Sequence, residues 1–195
     1  SAGINGDHFL AKYGAAGNYI WHICIGGSGT EIPKGLALDH SGHLLMVGRF
    51  DSYLDWDPGQ GETFFGSAGS TDGFLAKYDT SGAFVWAKRI GGSGHDETYG
   101  VVVDELDNIY VAGQMSASVN FGTQEEPMTL VHEGGSWDAF CASYRPDGEL
   151  AWVRGIQGTG GQRAQSIAYA HGHVYSYGVC SGETHANNVA SVSAG

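Results

Sequence analysis

The residues most suggestive of chemistry lie at 90–100, IGGSGHDETYG. A glycine-rich stretch between two apolar runs is the local pattern of a phosphate loop, where backbone amides and a helix N-terminus hold an anion. Such a loop needs a strand before it, a helix after it and commonly a lysine followed by Ser or Thr. Here the following run reads as a strand, no lysine lies within it, and the stretch recurs as GGSGTEIPKG (26–35) and QGTGGQRAQS (157–166). Three equivalent phosphate loops in one short chain are improbable, whereas a recurring connection between strands explains the copies directly. The ionisable residues riding on it are His95, Asp96 and Glu97, with Glu31 in the first copy. They form the candidate partner-binding loop, at one end of whatever the strands build.

The other reactive side chains carry less. His40 and His43 flank a turn, and His171 and His173 flank the matched turn of the last copy, where the middle copy has Glu105 and Asn108. An H-x-H on a strand points two imidazoles to one face and can begin a zinc site, yet further ligands are needed and these turns vary between copies. Solvated turn residues are the plainer reading. Acidic loops can take calcium, but the spacing lacks the alternating ligands of a calcium loop. Asp39 and Asp104 are placed to cap turns through their own backbone. Ser28, Ser93 and Thr159 offer hydroxyls without a G-x-S-x-G elbow. We therefore name no catalytic residue, metal ligand or cofactor. An enzyme remains the alternative, as a hydrolase or lyase with a polar site at one mouth of the fold.

Charge narrows the partners. Nine Lys and Arg against 21 Asp and Glu give a formal net charge of −12, and no basic cluster interrupts it; Arg145, Arg154 and Arg163 are dispersed. A nucleic-acid backbone would be repelled, so a protein or a glycan is the expected partner. No apolar run reaches the 18 or so residues of a membrane helix. The first residue is Ser1, which reads as a processed or trimmed chain. Cys24, Cys141 and Cys180 sit within apolar stretches at irregular spacing and are expected to be small buried thiols. With 42% hydrophobic and 12% aromatic residues the 33 glycines do not mark disorder; many turns between short strands account for them.

The elements that position these groups repeat. DHFLAKYGAAGNYIWHICIGGSG from Asp7 realigns with DGFLAKYDTSGAFVWAKRIGGSG from Asp72 and DAFCASYRPDGELAWVRGIQGTG from Asp138. Trp21, Trp86 and Trp152 stand in that register, 65 and then 66 residues apart. A second block follows each time: KGLALDHSGHLLMVGRF, YGVVVDELDNIYVAGQM, QSIAYAHGHVYSYGVC. Within a copy, short aromatic and β-branched runs broken by AAG, TSG or PDG read as hairpins. Four strands per unit result, with no helical periodicity, and a long connection with room for an extra short strand after the second block. The spacing predicts an all-β chain: a β-propeller of four-stranded antiparallel blades, with units at about 7–71, 72–137 and 138–195 inside one region, 1–195. The three tryptophans would be the wedges between sheets.

Residues 72–122 resemble the SBBP-type bacterial β-propeller repeat family, whose units read D-x-F-x-A-K-Y-D-x-x-G, W-A-K, G-G-x-G-x-D and G-I-A-V-D-x-x-G-N-x-Y-V-x-G. Residues 7–57 resemble it well. The third copy departs at Ser143, Gln162 and Ala170, which replace Lys77, Asp96 and Asp104. The resemblance implies an extracellular or cell-surface bacterial propeller with a structural, adhesive or binding role, and no common catalytic residue.

If the GVVVD and NIYVAG strands are central, FLAKY and FVWAKRI are the outer pair. The chain then opens on an outer pair, contains two complete blades and closes on an inner pair. Three blades are too few for a ring. Either further blades belong to a longer chain, or terminal halves complete one another between copies in a homo-oligomer or surface assembly.

Overall fold

The computed structural model describes residues 7–188. It contains strands and turns only, with no helix among the described residues, and its sheets are antiparallel. The first pair, β1 (His8–Tyr13) and β2 (Tyr19–Ile25), forms a hairpin of its own. Next comes β3 (Glu31–Leu38) and β4 (Leu44–Phe50), then a miniature hairpin of β5 (Tyr53–Asp55) with β6 (Phe64–Gly66). β7 (Asp72–Tyr78) and β8 (Phe84–Ile90) complete a four-stranded sheet in the order β3-β4-β7-β8.

The second unit repeats this with β9 (Glu97–Val103), β10 (Ile109–Met115), the miniature hairpin β11 (Val119–Asn120) with β12 (Thr129–Leu130), β13 (Asp138–Tyr144) and β14 (Leu150–Gly158). The chain continues through a separate pair, β15 (Gln162–Ala170) and β16 (His173–Cys180), to β17 (Thr184–Asn188). β17 turns back to pair with β14 and makes the second sheet five-stranded, β17-β14-β13-β10-β9. No sheet closes on itself. Two features thus go beyond a plain four-stranded unit: the miniature hairpin occupies each long connection, and β17 extends an outer edge.

Turn chemistry sets the register. Gly17, Gly82 and Gly148 have φ of 83°, 86° and 89° at the end of the AAG, TSG and PDG turns, a region costly for any side chain. Asp39 and Asp104 cap the turns after β3 and β9: the His43 amide donates to Asp39 Oδ1 at 2.8 Å, and the Leu106 and Asn108 amides donate to Asp104 Oδ1 at 2.9 Å.

Alternating residues on each strand then bury against the neighbouring sheet. Leu10 and Ile25 of the first hairpin pack with Met46, Phe50, Phe74, Ala76 and Tyr78 of the four-stranded sheet. On that sheet's other side Leu45, Val47 and Leu75 meet Val111, Phe140, Ala142 and Tyr144 of the next. β3 packs on β9 and β9 on β15, so the first strands of successive units lie side by side. Gly35 and Gly100 permit this approach: a Cβ on Gly35 would lie 3.1 Å from the Tyr99 carbonyl oxygen, and one on Gly100 would lie 3.0 Å from the Ile167 Cγ2 methyl.

The three repeated tryptophans are only half-buried. Trp21 lies over Gly82 and Trp86 over Gly148, each on the turn of the following unit. The central wedge is Trp56, from a long connection, fully buried among Phe50, Phe65 and Phe74. The cysteines also depart from expectation: Cys24 and Cys180 are exposed on the two terminal hairpins, and only Cys141 is largely covered, burial pushing its thiol up to about 12.

Lysines tie successive units together. Lys12 Nζ donates to the Thr80 carbonyl at 2.9 Å, and Lys77 Nζ donates to that of Pro146 at 3.2 Å, each reaching the next unit's turn. Lys77 also pairs with Asp39 at 2.9 Å, both side chains almost fully buried. Removing one member of such a pair strands the other charge, so Lys77→Met should lower the unfolding free energy by about 3 kcal/mol. Lys12→Met, at a half-buried lysine bonded to a carbonyl, should cost only about 1 kcal/mol. Urea unfolding of the two variants checks the difference, and equal losses would contradict the buried role of Lys77.

Candidate functional site

The loop end of the sheets carries the predicted residues, but mostly inside the fold. Asp96 is fully buried where the chain passes from β8 to β9. Its Oδ2 accepts the Gly92 amide at 2.8 Å and its Oδ1 the Ser116 amide at 3.1 Å, while its own amide donates to the Thr71 carbonyl. One carboxylate therefore clamps the inter-sheet loop to the start of the long connection. Burial raises its pKa to about 6, against the lowering effect of those two amides.

The copies use the same clamp with other chemistry. Glu31 is buried, accepts from Ser52 Oγ at 2.7 Å, and has its pKa raised by burial. Gln162 Nε2 donates to the Ser181 carbonyl at 2.9 Å. An amide that donates where a carboxylate accepts explains how the third copy keeps the connection without an acid. These residues serve the hinge, as the recurrence of the loop implied.

Glu97, at the head of β9, is the hub of a polar cluster. Its Oε1 lies 3.0 Å from Arg49 Nη1 of β4 and 2.8 Å from His95 Nε2, and its Oε2 lies 4.0 Å from Lys34 Nζ of β3. Tyr99 adds a side-chain hydrogen bond. Burial alone would raise the Glu97 pKa, yet Tyr99, His95 and the Arg49 and Lys34 charges together hold it below the ordinary value. The cations are each about one-third exposed, so water reaches the rim while the carboxylate stays covered. Arg49 and Lys34, dispersed in sequence, are thus brought together on one anion.

At the opposite end the histidines engage the turns. His40 Nδ1 lies 2.7 Å from Asp107 Oδ1, His43 Nδ1 lies 2.9 Å from Asp39 Oδ2, and His173 Nδ1 lies 2.8 Å from the His171 carbonyl. No group of three or more His, Cys, Asp or Glu residues is arranged to hold a metal ion among the described residues. Among the described residues no helix is long and apolar enough to cross a membrane.

A further surface was not singled out by sequence reasoning. Tyr53 and Phe64, on β5 and β6, are exposed and stacked, with ring centroids 5.7 Å apart and planes 7° from parallel. Leu54, Trp56 and Phe65, alternating with them on the same hairpin, point inward into the core. Residues 51–71 contain no Lys or Arg, and Asp51, Asp55, Asp57 and Glu62 flank the rings. The alternation Tyr-Leu-Asp-Trp is the one signal that would have marked this hairpin as two-faced.

Residues 85–114, from β8 through most of β10, match the sequence profile of the SBBP β-propeller repeat. These residues are an SBBP β-propeller repeat. The strands flanking the SBBP match recur in the other two copies at the register noted above. Two curated proteins are similar over most of this chain. An uncharacterized WD repeat-containing protein of Acanthamoeba polyphaga mimivirus is 26% identical over 148 residues, covering 70% of this chain and 10% of that protein. The regulatory protein FlaEY of Caulobacter vibrioides is 25% identical over 142 residues, covering 73% of this chain and 14% of that protein. The chain therefore spans only a small part of the relatives it matches. The SBBP repeat, together with the WD-repeat likeness, indicates a repeat module of structural or binding type.

Proposed function

We propose that this chain is part of a β-propeller scaffold, its four-stranded units arranged as blades around the inner strands β3, β9 and β15, which binds a glycan or protein partner at its loop end. On this reading it belongs to an extracellular or cell-surface bacterial protein, as the SBBP resemblance implies, and its role is structural or adhesive. The observation that carries the binding site is the exposed Tyr53–Phe64 stack on a hairpin whose other face is locked into the core. Rigid, exposed aromatic faces gain contact area at little entropic cost. His95, the accessible member of the predicted loop, lies at the same end of the sheets.

The hydrolase or lyase alternative rests on the His95–Glu97 contact. Glu97, however, is held ionised by two permanent cations and a tyrosine, which suits neither a proton donor nor a strong base at neutral pH. The binding reading is the better supported.

A glycan array and affinity electrophoresis in neutral and acidic polysaccharides test it. The wild-type chain should be retained by at least one glycan class, and the double variant Tyr53→Ala/Phe64→Ala should lose about 10-fold or more of that affinity, with its thermal unfolding unchanged. Retention that ignores both rings, or an absence of retention on every glycan together with no ring-dependent protein partner, would contradict the proposal.

A further inference from the structure

The cations around Glu97 exceed what that carboxylate needs. A covered carboxylate is satisfied by hydrogen bonds and an opposite charge. Arg49 Nη1 and His95 Nε2 both reach Glu97 Oε1, at 3.0 and 2.8 Å, and Tyr99 adds a further bond. Lys34 Nζ, 4.0 Å from Oε2, is too far for a hydrogen bond and lies instead 5.3 Å from the centre of the Tyr99 ring. Arg49 brings one guanidinium nitrogen to Glu97, which leaves the rest of its planar fork of N–H donors for another acceptor. A third cation stands on the neighbouring strand. Arg163 of β15 takes the place in its unit that Glu97 takes in β9, and β15 packs on β9. Its guanidinium lies over Trp137, 3.8 Å from the ring centroid, and among the described residues it forms no ion pair. Burial and the bond to Glu97 push the Tyr99 hydroxyl up to about 12, and the charges of Arg163 and Arg49 both act against that rise. Lys34, Arg49 and Arg163 thus converge on Tyr99 from three strands, against one carboxylate.

Strand pairing does not require this set. The Glu97 position holds Ile32 in the first unit and Arg163 in the third, the Lys34 position holds Tyr99 and Gln165, and the Arg49 position holds Gln114 and Val179. All three units keep the same register, with Ile32 opposite Arg49, Glu97 opposite Gln114 and Arg163 opposite Val179. A position that accepts isoleucine as well as either charge is not fixed by the backbone. Nor does composition produce the cluster, since nine Lys and Arg serve the whole chain against 21 Asp and Glu, and three of the nine meet here. Asp96 and Glu31, the other acids of these loops, accept from the hinge donors Gly92, Ser116 and Ser52. Lys34 and Arg49 keep about one-third of their side chains exposed, so a solute reaches them.

We propose that Lys34, Arg49 and Arg163 form a binding site for a single oxyanion group beside Tyr99: a free sulfate or phosphate ion, or the carboxylate of a uronic acid at the end of a saccharide. The Arg49 fork matches two oxygens of such a group, Lys34 supplies a point charge, and Arg163 adds charge from the neighbouring strand. One anionic group is what the site suits, because the surrounding chain, at −12 overall, repels a polyanion. Glu97 acts in two senses. It holds Arg49 in place, and its own charge opposes an incoming anion, so the site is strongest when that carboxylate is neutralised. The inference rests on these contacts and not on the Tyr53–Phe64 stack proposed above.

Isothermal titration calorimetry of the 195-residue chain tests the proposal, with sodium sulfate, sodium phosphate and methyl glucuronide as separate probes and methyl glucoside as the uncharged control. At least one of the three anions should bind saturably, more weakly as sodium chloride is raised, and the glucoside should not bind. Tighter binding of sulfate or phosphate assigns the site to a free ion, tighter binding of the glucuronide assigns it to a saccharide carboxylate, and equal affinities leave the oxyanion group itself as the ligand. Arg49→Gln and Arg163→Gln should each weaken binding by about 10-fold or more. Glu97→Gln should strengthen it by about 5-fold, an effect opposite to that of merely loosening the fold. Arg163→Gln removes no Glu97 contact and so keeps the test decisive where Arg49→Gln disturbs the cluster. Lys88→Met, at a partly exposed lysine paired with Glu149 elsewhere, should leave the affinity within about 2-fold. No saturable binding of any of the three anions, glucoside binding equal to that of the glucuronide, equal losses in Lys88→Met and Arg163→Gln, or no gain in Glu97→Gln would overturn it.

Discussion

Replacing Trp56 with alanine should lower the unfolding free energy by about 3 to 5 kcal/mol, the range for deleting a large, fully buried aromatic side chain. The indole is wholly covered, with Phe65 stacked on it at 4.8 Å, Phe74 at 4.9 Å and Phe50 edge-on at 5.1 Å. Its backbone carbonyl also accepts the Tyr78 hydroxyl at 2.8 Å. The side chain therefore joins the long connection, the four-stranded sheet and the β1–β2 hairpin at one point. Half-buried Trp21 and Trp86, each lying over a turn glycine, should cost roughly half as much when truncated. Urea unfolding at 25 °C of the three alanine variants checks the ranking. A Trp86→Ala loss equal to that of Trp56→Ala would return the wedge role to the repeated tryptophans.

Acidification should destabilise the protein through His8, by about 3 kcal/mol between pH 7 and pH 4 for this group alone. The imidazole is buried, stacked on Phe74 at 5.6 Å, and neither ring nitrogen has a hydrogen-bond partner. Burial lowers its pKa to about 4. In the unfolded chain the group takes a proton near pH 6.5, so the native state binds fewer protons between 6.5 and 4, and its stabilising contribution, full above that window, is lost as pH falls through it.

Asp96 opposes this. Its folded pKa of about 6 lies above the unfolded value, so its contribution is present below pH 3.8 and is lost as pH rises through 6. Glu31 and Asp72, both raised by burial, act in the same sense. The wild-type profile is thus flattened by compensation, and the His8 part emerges on substitution. His8→Phe should be more stable than wild type by about 1 to 2 kcal/mol at pH 7.5, from removing unsatisfied nitrogens, and by about 3 kcal/mol or more at pH 4.5. Urea unfolding at the two pH values reads both. A difference that does not change with pH would show that His8 is protonated as readily in the native state as in the unfolded one.

Much of the architecture is legible in the sequence because it is repeated. The matched turns at Gly17, Gly82 and Gly148 set the hairpins, and the order of the two blocks along the chain dictates the succession β9-β10-β13-β14. The features that no pattern of residues reveals are those set by contacts between units. Trp56 has no tryptophan counterpart, since Phe121 stands in its place in the second copy, so matching residues between copies passes over it. Gly35 and Gly100 read as turn glycines by type but serve close approach of inner strands, which no local pattern reveals. The pairing of β17 with β14 depends on where the chain goes after Cys180, a tertiary outcome.

The candidate loop shows the same limit. Asp96 and Glu31 are residues normally solvated, and on sequence alone they look like a surface offered to a partner. Their burial becomes tolerable only when the Gly92, Ser116 and Ser52 donors converge on them, and those donors lie on different segments. Glu97 likewise gathers Arg49 and Lys34 from two strands distant in sequence, beside its near neighbour His95. The exposed Tyr53–Phe64 stack, by contrast, needs only the alternation of one short hairpin, inside a connection that reads as a loop.

The central claim is that the repeated units stack as separate sheets about the inner strands β3, β9 and β15. Proton–proton Overhauser contacts in the wild-type chain test it most directly. The packing predicts cross-peaks between the Gly35 and Gly100 α-protons and between the Gly100 α-protons and the Ile167 methyl, since a Cβ on Gly35 would lie 3.5 Å from the Gly100 Cα and one on Gly100 3.0 Å from that methyl. Strong contacts within each hairpin with none linking Gly35, Gly100 and Ile167 would contradict it.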